Sequence, residues 1–243
     1  MDGAFLVDSF FYMKDGKTKV EYLPELLADL WRDTGLVFMA VCSGGAALTN
    51  PTKWTVTFDE LLDRVPASVR MIIPIVCGND ILVNWKVPTF RDAWATAAER
   101  LCEGMRAKSA VQFAVVGGSS DVWRYDTWME LGQRELYDAN ARQLAGVFSA
   151  CGVHATTGAG ELQGMEIADD TGHVSWDSRH VVFGAYPTWV RQCLRCEAAL
   201  ELSELVEQEQ EQEQEHEQEH AQEPERAQEQ APELGQVNDG VTG

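Results

Sequence analysis

The sequence predicts a doubly wound α/β domain. Short apolar runs of strand length recur along it, amphipathic helical patterns separate them, and the runs stop at small or polar residues. Runs of five or six apolar residues without alternation suit strands buried on both faces, as in a parallel sheet with helices above and below.

The elements follow in order. Ala4 to Val7 is the first run, and Leu23, Leu26, Leu27, Leu30 and Trp31 then recur at i, i+3, i+4, i+7 and i+8, one face of a helix whose first turn accommodates Pro24. Residues 36–41 form the second run, ending at Ser43-Gly44-Gly45, and residues 58–65 the next helical piece. The third run covers residues 69–76. A helix with Trp94, Ala97, Leu101 and Met105 on one side leads to the fourth, residues 111–116, which closes on Gly117-Gly118. Tyr137, Ala141, Leu144 and Phe148 mark another helix, and residues 153–156 a weaker strand.

Charge divides the chain. The net charge is −20, yet residues 201–243 hold thirteen Glu and one Asp against one Arg, so the first 200 residues carry only −7. A domain with that balance and no basic stripe is not built to bind nucleic acid. Residues 1–202 are expected to form the domain. Residues 203–243, where Glu alternates with Gln or His, have almost nothing apolar to bury and are expected to be disordered or transiently helical. Glu207, Glu211, Glu215 and Glu219 repel at i, i+4 spacing, and a basic protein is the partner such a tail would suit. No apolar run approaches the ~20 residues of a membrane-spanning helix, and Met1-Asp2-Gly3-Ala4 shows no secretory pattern, so a cytoplasmic location is expected. The six cysteines read as reduced structural thiols, including Cys193 and Cys196, which fall in a helical pattern. No metal or cofactor motif is evident, and no glycine-rich phosphate loop follows the first strand.

In a doubly wound sheet, function lies in the loops beyond the carboxyl ends of the strands. Those loops here begin with Asp8-Ser9, Ser43-Gly44-Gly45 and Cys77-Gly78-Asn79-Asp80, and a late segment reads Asp169-Asp170-Thr171-Gly172-His173. Each piece alone is an ordinary cap or turn. Taken in order, they resemble the blocks of the SGNH, or GDSL-like, hydrolase family across residues 4–190. The resemblance implies a three-layer, flavodoxin-like sheet of strand order 2-1-3-4-5. It also implies a serine acyl-enzyme route on an ester, thioester or O-acetyl bond of a small molecule, with no cofactor. Ser9 would be the nucleophile, Asp170 and His173 the dyad, and the N–H groups of Ser9 and Gly44 with the Asn79 amide the oxyanion hole. Gly45 is the alternative to Gly44. Asp177 and His180 repeat the dyad spacing, followed by Gly184 and Tyr186 at distances also similar to the family's, but the Thr171-Gly172 loop and the His173-x-Ser175 pattern favour the first pair.

Two positions depart from the family pattern. Val7 stands where the first block has Gly, and Cys77 where the third commonly has a small residue. Val7 keeps open a second reading, a non-catalytic relative that uses its cleft or tail to bind a partner. A nucleophilic Cys42 or Cys77 lacks a supporting pattern. Trp123, Arg124, Tyr125 and Trp128 lie just beyond the fourth strand, where packing or a pocket wall would use them.

Overall fold

The computed structural model describes residues 1–8, 12–15, 18–49, 56–76, 79–83, 88–108, 111–117, 133–165 and 174–229. Five parallel strands form one sheet: β1 (Gly3–Val7), β4 (Phe38–Cys42), β5 (Met71–Val76), β6 (Val111–Val116) and β7 (His154–Thr156). Their order is β4-β1-β5-β6-β7, which among these five strands is 2-1-3-4-5. The chain steps from β1 to β4 on one side, then crosses to β5 on the other.

The pleat sorts the strand residues into two layers, because successive side chains point to opposite faces. Ala4, Leu6, Ile72, Val76, Ala114 and Val116 face one apolar cluster with Phe58, Trp94, Leu101, Met105, Leu144 and Phe148. Those helical residues belong to α2 (Phe58–Leu62), α3 (Pro88–Lys108) and α4 (Gln133–Ala150). Phe5, Val7, Ile73, Ile75, Phe113 and Val115 face the other cluster, with Leu23, Leu26 and Leu30 of α1 (Leu23–Thr34) and Val182, Tyr186, Trp189 and Cys193 of α5 (Arg179–Glu229). The result is a helix–sheet–helix sandwich. Cys193 is buried in that second layer, where burial pushes its thiol up to about 12.

Local chemistry accounts for the boundaries. Pro24 occupies the first turn of α1, and Gly35 ends it at φ 72°, a left-handed conformation that glycine adopts without strain. A capping box formed by Thr57 and Glu60 starts α2. Pro74 is unusual in a central strand because it has no N–H for the ladder. Pairing with β6 holds at Ile72↔Gln112 and Ile75↔Val115 and is interrupted between them, at the proline.

The apolar pattern did not announce β2 (Tyr12–Asp15) and β3 (Thr18–Glu21), an antiparallel hairpin between β1 and α1. Its residues are mostly charged or polar, and Met13, fully buried, joins the layer with α1 and α5.

Contacts divide the chain into a compact unit, Met1–Glu197, and a second unit, Ala198–Gly243. The core-facing residues of α5 recur at 182, 185, 186, 189, 190 and 193, and the bidentate pair of Arg70 with Glu197, at 2.7 Å for each bond, closes the first unit. Beyond it the backbone stays helical through Glu229, while Leu202 and Leu205 are exposed. Glu and Gln are good helix formers, so helix continues where no apolar face remains. Ending the chain after Leu202 is therefore expected to shift the thermal midpoint of the remaining unit by no more than ~2 °C, since no described apolar side chain beyond Leu202 is buried. Loss of cooperative unfolding by calorimetry would refute this.

Candidate active site

Parallel strands bring all their carboxyl ends to one edge, and β1 lies between β4 and β5, so three loops meet there. The first leaves β1 at Asp8, a carboxylate only 2% exposed. The second, after β4, is tied to it: the Ser43 N–H donates to the Val7 carbonyl at 3.1 Å, and the Ala46 N–H closes a turn on the Ser43 carbonyl at 3.2 Å. Gly45 has φ 82°, so that turn requires glycine there. At Gly44 the situation is different. No described atom lies within 4 Å of a Cβ built on it, so its packing does not demand glycine.

The third loop follows β5. Asn79 opens a single π-helical turn, Asn79–Val83, and its side-chain nitrogen donates to the Ala46 carbonyl at 2.9 Å and approaches Asp8 Oδ2 at 3.4 Å. One amide proton is held by the Ala46 carbonyl of the β4 loop, and the other by the Asp8 carboxylate at the end of β1. Asp80, 1% exposed, accepts the Leu48 N–H at 2.8 Å and the Thr49 N–H at 3.5 Å. Adjacent residues thus pin the β4 loop in two places. Replacing Asp80 by Ala leaves a buried N–H without its acceptor and is expected to cost about 1–3 kcal/mol of stability, read from the urea midpoint. An unchanged midpoint would show that the loop is held without it.

Of the residues singled out in the sequence, Gly44 and Asn79 come together at this edge, and Asp8 and the Ala46 carbonyl join them. Ser9, Asp170 and His173 lie outside the described residues, as do Cys77, Trp123, Arg124, Tyr125 and Trp128. The second Asp-x-x-His pair is described. Asp177 sits in a 3₁₀ turn, Trp176–Ser178, capped by the Ser175 hydroxyl, which accepts the Asp177 N–H at 3.3 Å. His180, exposed, places Nδ1 3.1 Å from the backbone carbonyl of Asp177. With the Nδ1 proton on that carbonyl, Nε2 is the nitrogen free to accept a proton. The 3₁₀ turn packs against β2, which begins three residues after Ser9.

Cys42 ends β4 beside this edge. Burial, with the charges of Glu21 and Asp8, pushes its thiol up to about 12, so it stays protonated at neutral pH and is a poor nucleophile. Among the described residues, no three His, Cys, Asp or Glu are grouped to hold a metal ion. Asp8 and Asp80 were the site residues that pattern reading passed over. The one signal for them was an acid placed directly after or near the end of a wholly apolar strand.

No protein-family model matches this sequence, and no curated protein does. Solved structures share its fold. LAE5, described as an alpha/beta hydrolase enzyme from the metagenome of Lake Arreo, Spain, is 14% identical with a TM-score of 0.54, over 76% of this chain and 92% of that one. Axe2, an acetylxylan esterase from Geobacillus stearothermophilus, is 11% identical with a TM-score of 0.52, over 76% and 91%. A carbohydrate esterase family 2 enzyme with a carbohydrate binding domain, from Corynascus thermopiles (Myceliophthora fergusii), is 15% identical with a TM-score of 0.54, over 79% and 66%. These likenesses show the class of fold: a three-layer α/β sandwich around a parallel sheet, found also in esterases.

Proposed function

We propose that this chain is a serine hydrolase of ester, thioester or O-acetyl bonds in a small molecule. The observation that carries the proposal is the Asn79 amide, braced on the Ala46 carbonyl and directed to the end of β1, where Ser9 follows Asp8. Ser9 Oγ would attack the substrate carbonyl carbon while a histidine takes its proton. The carbonyl oxygen, now negative, would be met by the N–H groups of Ser9 and Gly44 and by Asn79, whose second proton would turn to it from the Asp8 carboxylate. Collapse of the tetrahedral species expels the alcohol or thiol, which receives the histidine's proton, and water then releases the acyl group by the same steps. The absence of any described atom within 4 Å of a Cβ on Gly44 supports its place in this set, and the φ of Gly45 supports a turn role for that glycine. The fold likeness to an acetylxylan esterase supports the inclusion of O-acetyl esters.

The Thr171-Gly172 loop and the His173-x-Ser175 pattern favour Asp170 and His173 as the dyad. A second reading, Asp177 and His180, has the position of their turn against β2 and the free Nε2 of His180 in its favour. The non-catalytic alternative loses part of its motive, because Val7 is fully buried in the layer with α1 and α5 and the core accommodates its bulk.

A fluorophosphonate probe tests the proposal. One adduct is expected on the full-length protein, and peptide mass mapping should place it on Ser9. Absence of labelling would return the chain to the binding-protein reading. Asn79→Ala should lower kcat on a short-chain aryl ester by ~10²-fold. A variant that loses folding stability but keeps its turnover would make Asn79 a loop brace only.

A further inference from the structure

Cys102 and Cys151 belong to different helices, yet their thiols are hydrogen-bonded to each other. Cys102 is wholly buried on α3, in the layer with Ala98, Leu101 and Met105, and Cys151, half-buried directly after the last residue of α4, packs against the same cluster. Neither is in a disulfide. The backbone around Cys151 is fixed. Its N–H donates to the Phe148 carbonyl at 3.1 Å, Gly152 ends the helix at φ 78°, and the Val153 N–H closes on the Phe148 carbonyl at 3.0 Å. From α3, Arg106 stands one turn beyond Cys102 and donates from Nη1 to the Cys151 carbonyl at 2.7 Å. The two helices are therefore pinned together at the level where the two sulfurs meet.

We propose that Cys102 and Cys151 form a thiol–disulfide site, joined reversibly through exchange with a small-molecule disulfide of the oxidised glutathione class. Cys151, the accessible thiol, reacts first. Its thiolate attacks one sulfur of the oxidant, a mixed disulfide forms, and one glutathione leaves as a thiolate that takes up a proton. Cys102 then gives its proton to water and attacks the Cys151 sulfur, which closes the protein disulfide and releases the second glutathione, again as a thiol once protonated. Two protein thiols are oxidised, and one disulfide is reduced to two thiols. The sulfurs must close to ~2.05 Å, a short approach for side chains already in contact. Burial, then the charge of Cys151, pushes the Cys102 thiol up to about 12, against the opposite pull of Arg106. Its attack is thus the slow step. For the same reason it is a poor leaving group once the bond exists, and burial shields its sulfur, so the bond persists. The link ties the end of α4 to α3 across a long loop of chain that includes β6, which stabilises this layer. The proposal is independent of the hydrolase reading.

The test incubates the full-length protein, reduced and then freed of reductant, with oxidised glutathione at neutral pH and without denaturant. The intact mass should fall by two hydrogens, a non-reducing peptide map should join Cys102 to Cys151, and the thermal midpoint should rise by about 4–10 °C. Dithiothreitol should reverse all three changes. In Cys102→Ala the reaction should stop at one glutathione on Cys151, and Cys151→Ser should form no link to Cys102. Cys151→Ser changes a half-buried residue outside the helix, so it remains informative if the core variant fails to fold. A glutathione adduct on Cys151 of the parent protein that never closes overturns the proposal. So does a link between Cys193 and Cys196 in its place, or a Cys102–Cys151 link that lowers the midpoint.

Discussion

Ser9→Ala is expected to remove turnover of a short-chain aryl ester, with kcat falling by on the order of 10⁴–10⁶-fold, while the thermal midpoint moves by ~1–2 °C at most. The large kinetic effect follows from chemistry. A hydroxyl is the bond-forming atom of an acyl-enzyme route, and a methyl group cannot substitute for it. The small thermal effect follows from the change itself, because Ser9→Ala removes one hydroxyl and no apolar surface. The two readouts separate a nucleophile from a structural residue. Turnover near that of the parent protein would exclude Ser9 from the reaction, and a collapse of the midpoint with proportional loss of activity would make it a fold determinant.

The second large effect concerns the base. A serine hydroxyl is a weak nucleophile until a neighbouring imidazole takes its proton, so loss of the correct histidine should lower kcat by several orders of magnitude. His173→Ala and His180→Ala, made separately and assayed at neutral pH, are expected to differ sharply. On the Thr171-Gly172 loop and the His173-x-Ser175 pattern, the first variant is inactive and the second retains turnover. The reverse result moves the dyad seven residues along the chain, to a turn whose geometry already frees Nε2 of His180 and lies beside the strand that follows Ser9. In that case Asp177→Ala should cost less than His180→Ala, because the Nδ1 proton of His180 rests on a backbone carbonyl that the substitution leaves in place. Loss of activity in neither variant would remove both pairs and, with them, the proposed mechanism.

The architecture was legible in the sequence wherever burial on both faces forces a run of apolar residues. The apolar runs at residues 111–116 and, despite Pro74, 71–76 read as central strands, and the 3.6-residue rhythm of Leu23, Leu26 and Leu30 identified α1. The hairpin of β2 and β3 escaped because it lies outside the sheet. One buried Met13 among charged neighbours does not produce a periodicity. The length of α5 escaped for a related reason: the core marks only its first turns, and the rest depends on backbone propensity.

What the sequence determined by itself was the order of strands and helices and the residue types waiting at the strand ends, since both are properties of short stretches of chain. Only the tertiary structure decided which of those ends meet. The crossover from β4 past β1 to β5 brings Asn79 within 3.4 Å of Asp8, residues 71 positions apart in the chain, and Asp80 within 2.8 Å of the Leu48 N–H. It also showed that Gly45 serves a left-handed turn while a Cβ on Gly44 would meet no described atom within 4 Å, a distinction that two adjacent glycines cannot express in sequence. Such contacts depend on how strands far apart in the chain pair side by side, and hydrogen bonds between distant loops leave no periodic trace in either partner.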